Sequence, residues 1–227
     1  MKTYKYQMHM HTLPTSACSK ISAKDTVREL YENGYSGGVI TNHFKHGNTG
    51  INRKLKWADF VKPYEEDYLL LKEEAMMLGL DIMFGVEEGV GGGKEILCYG
   101  ITPQVLYDHP ELEACDASLW YKVVHEEGGL VIQAHPFRTR DYISARGAMD
   151  KSLIDGIEVF NYFNTLSDNM EAEEFARQNP DLILIAGGDS HGYGAMAKSG
   201  IETAAPITNE KALVDVLRRG AFNRLTE

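Results

Sequence analysis

Tyr4-Lys5-Tyr6-Gln7-Met8-His9-Met10-His11-Thr12 is a strand-length run that closes on two histidines spaced i, i+2. In an extended chain that spacing points both imidazoles to the same side. Six further short apolar or β-branched runs follow, at 38–42, 81–86, 95–101, 130–134, 156–160 and 182–187, most of them closed by Gly, Asn or His. Such runs are expected of strands buried on both faces.

Helical patterns fill the intervals. Ser22 with Asp25 resembles a capping box, and Gly34 ends that helix. A second helix, about 57–78, carries Phe60, Tyr64, Tyr68, Leu71, Ala75 and Leu78 as one apolar stripe. Pro63 suits a first turn, which moves the expected start nearer 62. Asp116 opens a helix stopped by Gly128-Gly129, Asp168 with Glu171 opens another, and Thr208 opens the last, which stops at Gly220. Strands alternating with helices, without repeat or linker, predict one α/β domain over 1–227 with a mainly parallel sheet. With no glycine-rich phosphate turn after the first strand, a closed barrel is favoured over a dinucleotide fold. In a barrel of this kind chemistry sits where the strands end.

Residues able to do chemistry do fall at those ends. His9 and His11 close the first run, His43 follows the second, Glu87 the third, and Glu95 begins the fourth after the glycine loop 89–93. His135 ends the fifth, and Asp189 and His191 follow the seventh. Five of the eight histidines are thus at strand ends, while His46, His109 and His125 are in loops or a helix. Imidazole with carboxylate suits Mn, Zn or Fe. A multinuclear metal site is the sharp reading of the cluster.

Composition narrows the rest. Of 227 residues, 43% are hydrophobic and 25% charged, the balance of an ordinary globular chain. The formal net charge of −10 predicts no long nucleic acid partner, while leaving room for a local basic pocket for one phosphate. No run approaches the ~18 apolar residues of a membrane span, so no membrane partner is expected. Cys18, Cys98 and Cys115 are odd in number and lack CxxC spacing, which with an N-terminus lacking an apolar core predicts a cytoplasmic location. Oligomeric state is left open.

His9-Met10-His11-Thr12, Thr41-Asn42-His43, Gly85-Val86-Glu87, Ala134-His135-Pro136 and Gly188-Asp189-Ser190-His191 together, and in this order, resemble the PHP (polymerase and histidinol phosphatase) family of metal-dependent phosphoesterases. The resemblance runs over nearly the whole chain. It implies a distorted seven-stranded (β/α)7 TIM-like barrel holding two or three divalent metal ions. By the same resemblance His9, His11, Glu87 and Asp189 hold one metal, and Glu87, Glu95 and His135 hold the second with Glu87 bridging. His43 and His191 belong to a third position. The sequence departs from the family at two points. Ala17 stands near an expected third-metal ligand, with Cys18 beside it as a soft substitute or an inert thiol. Glu95 stands where the family commonly has a histidine.

The expected reaction is hydrolysis of a phosphoester of a small phosphorylated metabolite, histidinol-phosphatase-like or nucleotide-type, by a metal-bound hydroxide. Two metals about 3.5–4 Å apart suit that chemistry. Arg138 and Arg140 follow His135, and Lys45 follows His43; all three are candidate phosphate-binding residues. Asp189 or His191 is the candidate to orient the nucleophile or protonate the leaving group. Glu158, mid-strand, reads as a hydrogen-bonding residue near the site, and Gly91-Gly92-Gly93 as a hairpin-like loop. A metal-dependent amidohydrolase acting on a C–N or ester bond, and a binding module whose catalysis has decayed, are the alternatives.

Overall fold

The computed structural model describes residues 2–194 and 199–226. Along the chain run β1 (Tyr4–Met10), α1 (Ala23–Glu32), β2 (Gly37–Ile40), α2 (Trp57–Met77), β3 (Asp81–Gly89), β4 (Glu95–Tyr99), α3 (Pro103–Asp108) and α4 (Ala117–Glu126). They are followed by β5 (Leu130–Gln133), β6 (Gly156–Asn161), α5 (Leu166–Gln178), β7 (Ile183–Gly187), β8 (Ser199–Thr203), α6 (Glu210–Arg218) and β9 (Asn223–Thr226).

The expected seven-stranded (β/α)7 barrel is corrected here. All seven strands read from the sequence are present, but the described residues form one nine-stranded sheet in the order β7-β6-β5-β4-β3-β2-β1-β8-β9. Nor is the sheet mainly parallel: β1/β2, β2/β3, β5/β6 and β6/β7 pair parallel, whereas β3/β4, β4/β5, β1/β8 and β8/β9 pair antiparallel. The reason is local at β3/β4. The loop 90–94, closed by Val90 N–H donating to the Lys94 carbonyl at 2.9 Å, is a hairpin turn too short for a parallel crossover. β8 (Ser-Gly-Ile-Glu-Thr) and the exposed edge strand β9 offer almost no apolar alternation, so they escape a sequence reading.

The sheet nearly closes on itself where β7 meets β1. A parallel bridge joins Met10 to Ser190; His11 N–H donates to the Ser190 carbonyl at 2.8 Å, and Ser190 N–H to that of His9 at 3.1 Å. One apolar cluster lies between the sheet and the helices, with Val27, Phe60, Leu71, Trp120 and Ala172 against Ile40, Phe84, Val86 and Ile157. A second joins Met83, Leu97, Tyr99, Ile132 and Ile185 with Leu213 and Leu217 of α6. Each large side chain fully buried in this way stabilises by about 1.5–3 kcal/mol.

Helix starts differ from expectation in three places. α2 begins at Trp57, whose indole is buried and donates to the Leu106 carbonyl, and Pro63 sits in its second turn. The acceptor Pro63 leaves unpaired belongs to Asp59, which faces solvent, so the interruption is tolerated. α5 is capped by Thr165, with Asp168 completing a capping box, and α6 by Asn209.

Candidate metal centre

All eight residues expected at the strand ends come together. β3 runs on through Glu87 to Gly89 and pairs antiparallel with β4, setting Glu87 opposite Leu97 and Gly89 opposite Glu95. Opposed residues share a face and alternate ones return to it, so this hairpin delivers both carboxylates to one side. Glu87 is the hub. Its Oε1 lies 3.2 Å from His9 Nε2 and 3.1 Å from His135 Nε2. Its Oε2 lies 2.8 Å from His43 Nδ1 and 3.4 Å from His11 Nε2. Asp189 Oδ1 flanks one end, 3.2 Å from His11 Nε2, 3.4 Å from His191 Nδ1 and 3.6 Å from His9 Nε2. Glu95 flanks the other, 3.5 Å from both His43 Nδ1 and His135 Nε2.

Two of these residues hold unusual backbone. His135 has φ of 29° and Asp189 of 49°, the left-handed region that non-glycine residues adopt mostly in functional turns. Other side chains aim the rings. His9 Nδ1 is 3.1 Å from Glu158 Oε1, whose second oxygen accepts from His135 N–H at 3.0 Å and Asn161 Nδ2 at 2.8 Å. His11 Nδ1 is 3.1 Å from Ser16 Oγ, and Ser16 also accepts His43 N–H at 3.0 Å. Phe44, next to His43, is clamped edge-on by Trp57, Phe60, Tyr64 and Trp120, and Tyr64 donates to the His43 carbonyl at 2.7 Å. Gly187 is required for close approach: a Cβ there would stand 1.9 Å from Glu158 Oε1 and 2.8 Å from His9 Cβ.

The electrostatics agree with a charged, acidic hub. Burial opposes ionisation of Glu87, yet His9 and His43 hold its carboxyl well below the ordinary range. Burial likewise opposes Asp189, and Arg138 with His9 overrules it. Glu95 is pushed up to about 7 by burial and by Glu87. His11 is driven well below the usual imidazole range by burial and by His191 and His43.

A cation fits this arrangement on direct grounds. His9 Nε2, His11 Nε2, His43 Nδ1 and Glu87 Oε2 are buried without a hydrogen-bond partner and converge on the same space. Such atoms are costly to leave unsatisfied. His9 and His11 each have the other nitrogen fixed by a carboxylate or hydroxyl, the outer contact typical of metal-bound imidazole. Three groups among the described residues place ligand atoms within 4.8 Å of one another: His9-His11-Asp189, His43-Glu87-Glu95 and His11-His43-His191. The donor set of nitrogen and oxygen suits divalent ions such as Mn, Zn or Fe.

The expected phosphate-binding residues are placed differently. Arg138 lines the opening, but its guanidinium donates to Asp189 Oδ2 at 2.5 Å, Asn161 Oδ1 at 2.7 Å and Asn164 Oδ1 at 2.9 Å. Arg140 is exposed and bonds the carbonyls of Thr139 and Phe163. Lys45 turns away: its ammonium is buried against Glu113 at 2.8 Å and the Arg53 carbonyl at 2.7 Å, over the Phe60 ring. Lys20 lines the opening instead, with Phe163, Tyr193 and His191, in a cleft of about 410 Å³. A neighbouring cleft of about 470 Å³, between Glu95, His46 and Tyr142, shares Cys18, Arg138, Asp189 and His191 with it. Sequence reasoning also missed Asp67, which accepts from Thr12, from Thr15 at 3.1 Å and from Asn42 at 2.7 Å, tying down the loop after His11. Its signal was present: a carboxylate three residues after Tyr64 within the apolar stripe of α2.

No family model matches the chain, and no curated protein does. Solved structures do match its fold. A two-domain protein from Bacteroides vulgatus containing a predicted PHP-like metal-dependent phosphoesterase superposes with a TM-score of 0.70 at 16% identity, covering 100% of this chain and 65% of that one. An amidohydrolase from Chromobacterium violaceum, solved with sulfate and no metal, superposes with 0.59 at 14% identity over 97% and 98% of the two chains. The lesion-specific endonuclease Q from Pyrococcus furiosus gives 0.61 at 10% identity, over 99% of this chain and 57% of that one. An endonuclease Q complex holds a 27-mer duplex with an abasic lesion at the active site. That finding overturns the exclusion of long nucleic acid drawn from net charge. A total charge averages the whole surface, whereas phosphates are met by the few groups lining a cleft. None of the described helices is long and apolar enough to cross a membrane. The likeness is one of fold, shared with solved structures described as PHP-like metal-dependent phosphoesterases, an amidohydrolase and endonuclease Q.

Proposed function

We propose that this chain is a metal-dependent hydrolase of phosphoric esters. One observation carries the reading: Glu87 presents each carboxylate oxygen to two histidines, with Asp189 and Glu95 at its two ends. His9, His11, Glu87 and Asp189 would hold one cation, with Glu87, Glu95 and His135 holding a second. Cations bound there would supply Lewis acidity toward a phosphoryl oxygen and a water nucleophile at neutral pH.

The chain's own groups do the rest. Arg138 and Asn161 hold Asp189 through Oδ2, leaving Oδ1 turned toward His9 and His11. His191 Nδ1 lies 2.6 Å from the Asp189 carbonyl, which can only accept, so Nδ1 carries hydrogen and Nε2 is left to bind a cation or pass a proton to the leaving oxygen. Lys20, exposed at the mouth of the cleft, offers a positive charge to a phosphate. Phe163 and Tyr193, both exposed, offer apolar rings to the organic part of a substrate. We take that substrate to be a small phosphorylated metabolite, such as a histidinol-phosphate-like ester or a nucleotide.

The amidohydrolase reading is favoured by the likeness to the Chromobacterium violaceum fold. A carboxylate at the centre of the hub, Glu87 shared among four histidines, favours the phosphoester. The test is product release by metal-stripped protein after addition of Mn, Zn, Fe or Mg. Substrates would be phosphomonoesters, phosphodiesters, duplex DNA with an abasic site, and amides. Turnover of a phosphoester that is restored by metal and lost in His9→Ala and Asp189→Ala is expected. Metal-dependent amide hydrolysis without phosphoester turnover would overturn the proposal.

A further inference from the structure

Glu88 follows the hub residue Glu87 on β3 and therefore points to the opposite face of the sheet. There it stands opposite Ile96, fully buried beside the apolar cluster, a costly place for a carboxylate. Its Oε1 accepts the His46 N–H at 3.0 Å and a second hydrogen bond from His46 Nδ1 at 2.6 Å. The backbone that carries His46 is held as firmly. Gly47 N–H donates to the Phe44 carbonyl at 3.2 Å, and Arg53 donates to the carbonyls of Lys45 and Gly47. A Cβ at Gly89 would stand 2.5 Å from the His46 carbonyl oxygen, so the two segments are packed in contact. Main chain and Nδ1 are thus both fixed, while Nε2 makes no hydrogen bond among the described residues. The side chain is 32% exposed and lines the cleft of about 470 Å³ together with the candidate ligands His43, Glu95, Asp189 and His191.

We propose that His46 is a specificity-determining residue: its Nε2 hydrogen-bonds a hydroxyl of the substrate, so that the chain selects phosphoesters of polyols or sugars over their deoxy counterparts. The proposal rests on the phosphoester reading of the metal centre. An ester held at that centre opens onto this cleft, since Glu95 and Asp189 both line it. A hydroxyl suits Nε2 because it both donates and accepts, and so answers the ring in either protonation state. A second anionic group suits the cleft less. Glu95 and Asp189 bring two carboxylates to its wall, and the Arg53 guanidinium already donates to two carbonyls. Because Glu88 holds the ring before substrate arrives, less side-chain freedom is lost on binding. That is a reason for a carboxylate to be buried on the apolar face of β3.

The test is steady-state kinetics of the metal-restored protein on matched pairs: glycerol phosphate with propanediol phosphate, ribose phosphate with deoxyribose phosphate, and a ribonucleotide with its deoxynucleotide. In at least one pair the wild type is expected to favour the hydroxylated member in kcat/KM by roughly 2–10-fold, the worth of one hydrogen bond. His46→Ala, with native circular dichroism and metal content, is expected to turn over the two members alike. His46→Gln, whose amide reaches where Nε2 stood, is expected to keep part of the preference. Equal kcat/KM within every pair in the wild type, or a preference unchanged in His46→Ala, would overturn this proposal and leave the phosphoesterase standing. Loss of metal from His46→Ala would do the same, making the imidazole a support of the centre. No turnover of any phosphoester by the wild type would overturn both.

Discussion

Arg138 and Asp189 form a buried ion pair, Nη2 to Oδ2 at 2.5 Å, with 8% and 4% of their side chains exposed. The pair recasts an arginine that lies beside the metal rim as the support of a ligand. Asp189 sits in a left-handed turn, and Arg138 with Asn161 fixes the orientation of its carboxylate through Oδ2. Because both charges are desolvated, removing Arg138 leaves Asp189 with only the imidazoles of His9, His11 and His191 to offset its charge.

Arg138→Met is therefore expected to lower stability by about 3–5 kcal/mol and to weaken metal binding. Arg138→Lys should recover only part of either, since an ammonium cannot reproduce the fork that reaches Asp189, Asn161 and Asn164. Denaturant unfolding and metal analysis of the two variants check this. A rise in KM with stability and metal content unchanged would instead make Arg138 a substrate clamp.

Glu158→Gln keeps the shape of the residue that orients His9 and His135 but replaces one acceptor oxygen with a donor. That donor faces either the His135 N–H and Asn161 Nδ2, or the His9 ring. Metal affinity should fall by about 10–100-fold, with the fold retained by circular dichroism. Titration of the stripped variant with Mn or Zn measures it.

Gly187→Ala should have a similar effect by sterics alone. The added methyl meets the Glu158 carboxylate and His9 Cβ, and overpacking of this kind costs about 1–3 kcal/mol. The expected outcome is a lowered Tm together with weakened metal binding. Unchanged metal affinity would show that Glu158 does not set the His9 ring.

Glu95 gives a pH signature. Burial and Glu87 raise its carboxyl from 4.5 to about 7 in the stripped protein, so between those values the folded state holds a proton that the unfolded state has released. The contribution of Glu95 to stability is thus present at low pH and is lost as pH rises through this window. Metal binding should release that proton, and apparent affinity should climb with pH until about 7. Thermal melts of stripped and loaded protein between pH 5 and 8, beside Glu95→Gln, test the sign: the variant should flatten the slope of the stripped form.

What could be read from the chain was whatever lay along a single strand. The eight candidate ligands were visible because strand ends carry their own punctuation, and the His9, His11 spacing states its geometry outright. The supporting residues were not, because their roles depend on partners far away in sequence. Ser16 matters through Asn42 and His43, Asp67 through Thr12, and Arg138 through Asp189. Lys45 shows the converse: proximity to His43 in sequence says nothing about direction, and the side chain leaves for Glu113. The sheet was misjudged for a related reason, since strand direction depends on connection length and β8 and β9 carry little apolar signal.

The β3–β4 hairpin has a consequence on the far side of the sheet. Ile96 and Cys98 alternate with Glu95 and Leu97, and both are packed in the apolar cluster beneath the helices. A slip of one residue would drive Glu95 into hydrocarbon and lift Ile96 among the imidazoles, a double penalty. The distance between the two carboxylates is therefore legislated from behind, by hydrophobic residues that never meet a cation. Loss of metal can follow from a substitution at Ile96 or Cys98, where no inventory of ligands would look for it.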